Sequence, residues 1–231
     1  MKLFLILILS TLLLISCAKQ LERGMNVKDI QLETDDEKKI AGTFYEGGSE
    51  GIILLHQLDR NRNDWKDFAA KLQNSNYSVL AIDLRGHGQS DGSWKDFSDD
   101  DFAGMVLDVE ATVQYLKQNK IPNITIIGAS IGANIALNYA AEHEEIKKIV
   151  LLSPGLNYHG VETEDIANVY NGKILIVASR DDRYSFDSSN RIFNATKTKD
   201  KQIKIYDKSG HGMKMFEGTD LNSVIINWLK S

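Results

Sequence analysis

Asn123-Ile-Thr-Ile-Ile-Gly128-Ala129-Ser130-Ile131-Gly132-Ala133-Asn134-Ile135-Ala136 is the stretch on which the reading of this chain turns. Its first half is a run of β-branched apolar residues, the texture of a parallel strand buried on both faces. Its second half is Ala-rich, with apolar residues spaced for a helix lying on a sheet. The pattern G-x-S-x-G stands between them with no room for a longer loop. A turn this sharp strains the backbone at its central residue, and flanking glycines remove the Cβ atoms that would collide. The strain pushes the Ser130 hydroxyl out at the carboxyl end of the sheet, beside the free N–H groups that open the next helix. The pentapeptide alone is expected by chance in roughly one in ten chains of this length and is a weak signal. The strand before it and the helix after it give it meaning.

The same strand–helix alternation extends in both directions. Val27–Glu33 and Ile40–Tyr45 alternate apolar and polar residues about an acidic turn and predict an antiparallel pair. Ile52–Leu55, Tyr77–Ile82, Ile149–Leu152, Lys173–Ala178 and Gln202–Tyr206 predict further strands. Helices are expected from Trp65 to Leu72, as one long element over Asp99–Asn119, over Asp187–Ala195 and over Leu221–Leu229. The fold class is therefore α/β, a mostly parallel central sheet with helices on both faces. The segment from Leu156 to Gly172 is too short for a helical cap domain, so any lid is minimal. Tyr158, Tyr170 and Trp94 are candidates either to line an open site or to serve as ordinary packing.

Composition bounds the function. The 231 residues are 42% hydrophobic and 26% charged with two Pro, which suits one domain with a sizeable core. Net charge is −5 without a Lys/Arg cluster, which gives no support to nucleic-acid binding. No His/Cys/Asp group has metal-ligand spacing, so no metal and no organic cofactor is expected. The first residues are a separate message: Lys2 precedes an unbroken apolar-to-neutral run, Leu3 to Ile15, too short to span a bilayer. The run ends Leu14-Ile15-Ser16-Cys17, which resembles the lipobox of bacterial lipoproteins. That resemblance implies a signal peptide over 1–16, lipid on Cys17, a tether over 17–26 and a folded domain over 27–231. The expected address is the bacterial cell envelope, anchored by lipid, at an outer membrane or cell surface if the host has one. Cys17 is the sole cysteine.

A serine hydroxyl needs a base to take its proton and a third group to orient that base. On a strand-to-helix turn the chain order is Ser, acid, His, each at the end of a successive strand. His211, in Ser209-Gly210-His211-Gly212-Met213, follows the last predicted strand and is the candidate base. Asp181 and Asp182 follow the strand Lys173–Ala178, and either can be the acid. An oxyanion needs two preorganised N–H donors. One is that of Ile131; the other comes from the loop after Leu55, at Leu58 or Gln57.

Ile52–Gln57, Asp83–Ser90, Gly128–Gly132, Ala178–Ser185 and Gly210–Phe216 together resemble, in order and spacing, the α/β-hydrolase superfamily, nearest its bacterial carboxylesterase and dienelactone-hydrolase-like branch. The resemblance runs from about Val27 to the end. It implies Ser130 as nucleophile and His211 as base, and Asp182-Arg183-Tyr184 resembles the family's Asp-x-Tyr stretch, which favours Asp182 as acid. Dienelactone hydrolases proper use a cysteine nucleophile, so a serine at 130 points away from their substrate. Many members have His-Gly where this chain has His56-Gln57; His56 and His87 match positions with structural roles. The implied activity is a serine hydrolase acting on small or short-chain carboxylic esters. The rivals are an amidase or peptidase with the same triad, and an envelope lipoprotein that keeps the fold without turnover. Natural substrate and oligomeric state are not legible.

Overall fold

The computed structural model describes residues 26–231; the leader and Cys17 lie outside the described residues. An eight-stranded sheet has the order β1-β2-β4-β3-β5-β6-β9-β10. Its strands are β1 (Val27–Glu33), β2 (Lys39–Tyr45), β3 (Glu50–Leu55), β4 (Tyr77–Ile82), β5 (Asn123–Ala129), β6 (Lys148–Leu152), β9 (Lys173–Ser179) and β10 (Lys201–Tyr206). β1 and β2 are antiparallel to each other, β2 is antiparallel to β4, and every later pairing is parallel. A small hairpin, β7 (Asn157–Tyr158) with β8 (Val161–Glu162), stands apart from the sheet.

Alternate residues of the central strands feed two separate cores, as a pleated strand covered on both sides requires. In β3, Ile53 and Leu55 join one cluster while Ile52 and Leu54 join the other. The first face is covered by α3 (Val106–Gln118) and α4 (Ile131–Glu142). The second is covered by α1 (Lys66–Asn74) and α7 (Leu221–Leu229), which contribute Phe68, Leu72, Ile225 and Trp228. The order Gly51↔Ile124 to Leu55↔Gly128 brings the ends of β3 and β5 level. That register sets the loop after Leu55 beside Ser130.

The single helix expected over Asp99–Asn119 is instead two, α2 (Asp99–Ala103) and α3. α2 starts with a capping box, in which Ser98 and Asp101 bond each other's backbone N–H. Gly104 and Met105 keep helical angles, but the bonds there tighten to Met105 N–H on Phe102, Leu107 N–H on Gly104 and Asp108 N–H on Met105. This is 3-10 spacing, and it turns both Phe102 and Met105 inward, where both are buried. The segment after β6 carries the hairpin and one helical turn, α5 (Glu164–Ala167), in place of a cap domain. The helix after β9, α6 (Arg183–Ala195), starts four residues earlier than expected, directly after Asp182.

Candidate active site

β5 ends at Ala129, and Ser130 has φ +54° and ψ −121°, a conformation that L-residues rarely adopt. Its N–H donates to the Leu152 carbonyl at 2.8 Å, which ties the strained residue to the neighbouring strand. The flanking glycines are required by close approach. A Cβ on Gly128 would lie 2.1 Å from the Gly132 carbonyl oxygen, and one on Gly132 would lie 2.6 Å from the carbonyl oxygens of Leu55 and His56. The elbow is thus pressed against the end of β3. Ile131 opens α4, so its N–H has no carbonyl one turn back and is free to serve a substrate.

The turn after β9 presents two adjacent carboxylates, and the structure sends them different ways. Asp182 Oδ2 lies 2.6 Å from His211 Nδ1. Asp181 Oδ1 accepts instead from the Ser179 hydroxyl at 2.5 Å and from the Gly210 N–H at 3.1 Å, so it braces the histidine loop from outside. Burial alone would raise the Asp182 carboxyl. Hydrogen bonds from His211, Ser185 and Ser153, with the charge on the imidazole, outweigh it and hold the group below its usual range. A carboxylate in that place fixes the imidazole with Nδ1 as donor, which leaves Nε2 as the basic nitrogen.

The loop carrying His211 is shaped by Gly210 and Gly212, both in the left-handed region at φ +71° and +56°. Its next two amides are fastened by side chains from two other strand ends. Gly212 N–H donates to Ser153 Oγ at 2.9 Å and Met213 N–H donates to Gln57 Oε1 at 3.0 Å. A Cβ on Gly212 would lie 3.8 Å from that of Ala129, so the loop rests against the residue before Ser130. Ser153, Ser185 and the Gln57 side chain had no signal in the sequence, because small polar residues at strand ends are ordinary. Only the fold shows what they face.

The loop after Leu55 is propped by two neutral histidines. His56 Nδ1 donates to the Gln57 carbonyl at 2.8 Å while its Nε2 accepts from Leu84 N–H at 3.0 Å. His87 Nδ1 donates to the Arg85 carbonyl at 3.0 Å, and its Nε2 faces Asp59 N–H at 3.3 Å. Burial lowers both, His56 to about 4, so each stays in the tautomer its bonds demand. Beneath them the loop after β4 is held by charge. Asp83 pairs with the Arg62 guanidinium and accepts Arg62 N–H at 2.7 Å. Arg85 Nε donates to Asp108 at 2.8 Å, and its other nitrogens grip Asp36 at 2.7 and 3.0 Å. Asp108 is wholly buried, and burial pushes its carboxyl up to about 6 against the pull of Arg85. Arg85→Met strands that carboxylate, and the expected loss is about 3–5 kcal/mol of stability in urea unfolding at neutral pH.

Tyr158, on the hairpin, sits over the elbow. Its hydroxyl is 3.0 Å from Ser185 Oγ, and its ring meets that of His211 edge-on at 6.4 Å. Burial pushes the phenol up to about 12, partly offset by the hydroxyls of Ser185 and Ser130. Trp94 stacks on His87 at 6.0 Å. Tyr170 does not line the site. It is buried with its hydroxyl near the carbonyls of Ile146 and Lys173, at the opposite end of the strands, where it packs against the core. A groove of about 660 Å³ includes Gln57 and His211 in its lining and lies between α1 and the 3-10 turn Gly212–Phe216. Phe68 and Phe216, with ring centroids 4.9 Å apart, and Met213 supply its apolar surface; Arg60, Lys71 and Glu217 are among its charged residues.

Comparison with known proteins agrees with this fold. An AB hydrolase superfamily protein of Bacillus subtilis is 32% identical over 131 residues, which are 52% of this chain and 46% of that protein. The chain thus spans less than half the length of that relative. A Bacillus subtilis carboxylesterase is 23% identical over 225 residues, 77% of this chain and 90% of its own. An esterase structure from Pyrococcus furiosus superposes with a TM-score of 0.76 at 23% identity, covering 89% of this chain and 92% of that one, a likeness of fold. The model of the alpha/beta hydrolase fold family matches residues 51–167, from β3 through the elbow and the hairpin to the end of α5. With that match over half of its length, and with a strained serine between β5 and α4, the chain belongs to the alpha/beta hydrolase family.

Proposed function

We propose that this protein is a serine hydrolase that cleaves carboxylic esters of small acids, with Ser130 as nucleophile, His211 as base and Asp182 as the orienting acid. The observation that carries the reading is the 2.6 Å contact between His211 and Asp182, made by a loop that rests against the elbow. In the proposed reaction His211 Nε2 takes the Ser130 proton as the oxygen attacks the ester carbonyl. The N–H groups of Ile131 and of Leu58 or Gln57 receive the negative oxygen. The imidazolium, steadied by ionised Asp182, then protonates the departing alcohol, and water hydrolyses the acyl-enzyme with His211 again as base. Asp182 keeps its charge throughout.

Because His211 delivers the proton to the alcohol, the alcohol belongs on the imidazole side, in the groove that His211 helps to line. Tyr158 and its hairpin crowd the elbow itself, which suits a small acyl group. A panel of nitrophenyl esters tests this: turnover is expected to be highest for two to four acyl carbons and to fall with longer chains, with anilides far slower. Phe216→Ala is expected to raise KM for acetates of bulky aromatic alcohols several-fold and to leave KM for ethyl acetate unchanged. Anilides matching esters would move the reading to an amidase. No reaction with any ester or serine-directed probe would leave the non-catalytic lipoprotein.

The envelope address is part of the same proposal and rests on the apolar leader and Cys17. Nine residues from Ala18 to Asn26 reach about 30 Å when extended, so a lipid on Cys17 would keep the site near the membrane surface. Cys17→Ala is expected to move the protein from the membrane to the soluble fraction of the envelope. Unchanged membrane attachment would contradict the anchor.

A further inference from the structure

Gln57 joins two loops that the proposed chemistry needs in register. Its backbone carbonyl is held by His56 Nδ1 at 2.8 Å. In a planar trans peptide the carbonyl and the following N–H point in opposite directions, so fixing Gln57 O also fixes the direction of Leu58 N–H. The side chain of the same residue crosses to the histidine loop, where Oε1 accepts Met213 N–H at 3.0 Å. The approach is close enough that a Cβ on Gly212 would lie 2.2 Å from that oxygen. Gly212 and Met213 are the two residues after His211. One residue therefore sets an oxyanion donor with its main chain and the base-bearing loop with its side chain.

We propose that Gln57 is a positioning residue that locks the oxyanion loop to the loop of His211, so that donor and base are held at one fixed spacing. This rests on the triad reading above. Displacing catalytic groups by about 1 Å costs on the order of 100-fold in rate, so the lock should show in kcat. A residue that only filled space would be best replaced by Met, which has the same length and no charge. A residue that offers an acceptor would be best replaced by Glu, which keeps an oxygen in the same place.

The test is steady-state kinetics of Gln57→Met, Gln57→Glu and Gln57→Asn on nitrophenyl acetate, with thermal melting alongside. The expected order of kcat is wild type, then Glu, then Met and Asn, the last two down roughly 10- to 100-fold with KM little changed. Asn is one methylene too short to reach Met213, and it gives the same reading should the Met variant fail to fold. Wild-type kcat in the Met or Asn variant, or a Glu variant no better than Met, would overturn the lock. Ser130→Ala separates the two claims. Wild-type turnover that survives Ser130→Ala defeats the triad reading itself. Turnover that depends on Ser130 but ignores position 57 defeats only the lock.

Discussion

Ser130→Ala is expected to lower kcat for nitrophenyl acetate by roughly 10⁶-fold while the protein melts at or near the wild-type temperature. The size follows from the reaction's first step, which has no acceptor for the acyl group once the hydroxyl is gone. Stability is expected to hold because the serine's structural work is done by its backbone: the N–H bond to Leu152 and the turn between two close-packed glycines remain. Alanine at φ +54° is as strained as serine, so the elbow itself is not relieved. Measuring kcat and melting temperature together separates loss of chemistry from loss of fold. A variant that melts normally and still turns over at more than a few per cent of wild type would contradict the assignment.

The second large effect is at position 182. Asp182→Asn keeps the shape but replaces a carboxylate with an amide, which can donate to Nδ1 and stabilise the tautomer with its proton on Nε2. That nitrogen is then no base, and the expected loss in kcat is roughly 10⁴-fold. Asp181→Asn is the internal control. Its carboxylate faces Ser179 and Gly210 rather than the imidazole, so its loss is expected to cost less than tenfold. Equal losses at 181 and 182, or a larger one at 181, would reverse the choice between them. Because Asp182 is held below its usual range, its carboxylate stays ionised through the neutral region. The Asp182→Asn defect should therefore persist across pH 6 to 8.

The sheet was legible because its strands are apolar runs with sharp polar or glycine ends. Strands Val27–Glu33 and Tyr77–Ile82 have the bounds that the pattern predicts, and so does the closing helix Leu221–Leu229. The candidate nucleophile and base were legible for a related reason: glycines mark Ser130 and His211, and strand order says which loops share an edge. The choice between Asp181 and Asp182 was not legible from spacing, since adjacent residues differ only in the turn that aims them. The break at Gly104 was missed because Gly104 and Met105 keep helical angles, and the apolar stripe runs on through both segments. Whether Tyr170 lines the site or packs in the core is not legible, because an aromatic residue in an irregular stretch gives no sign of which end of the sheet it packs against. The supports of the site, Ser153, Ser185 and the Gln57 side chain, act across 26 to 156 residues of chain. Contacts that long leave no local trace.

The most direct measurement is to react the protein with a serine-directed phosphonate and map the adduct by peptide mass spectrometry. One adduct is expected, on Ser130, formed fast in the wild type and much more slowly in Asp182→Asn. An adduct on another residue, or labelling of Ser130 that is indifferent to loss of the Asp182 carboxylate, would contradict the triad.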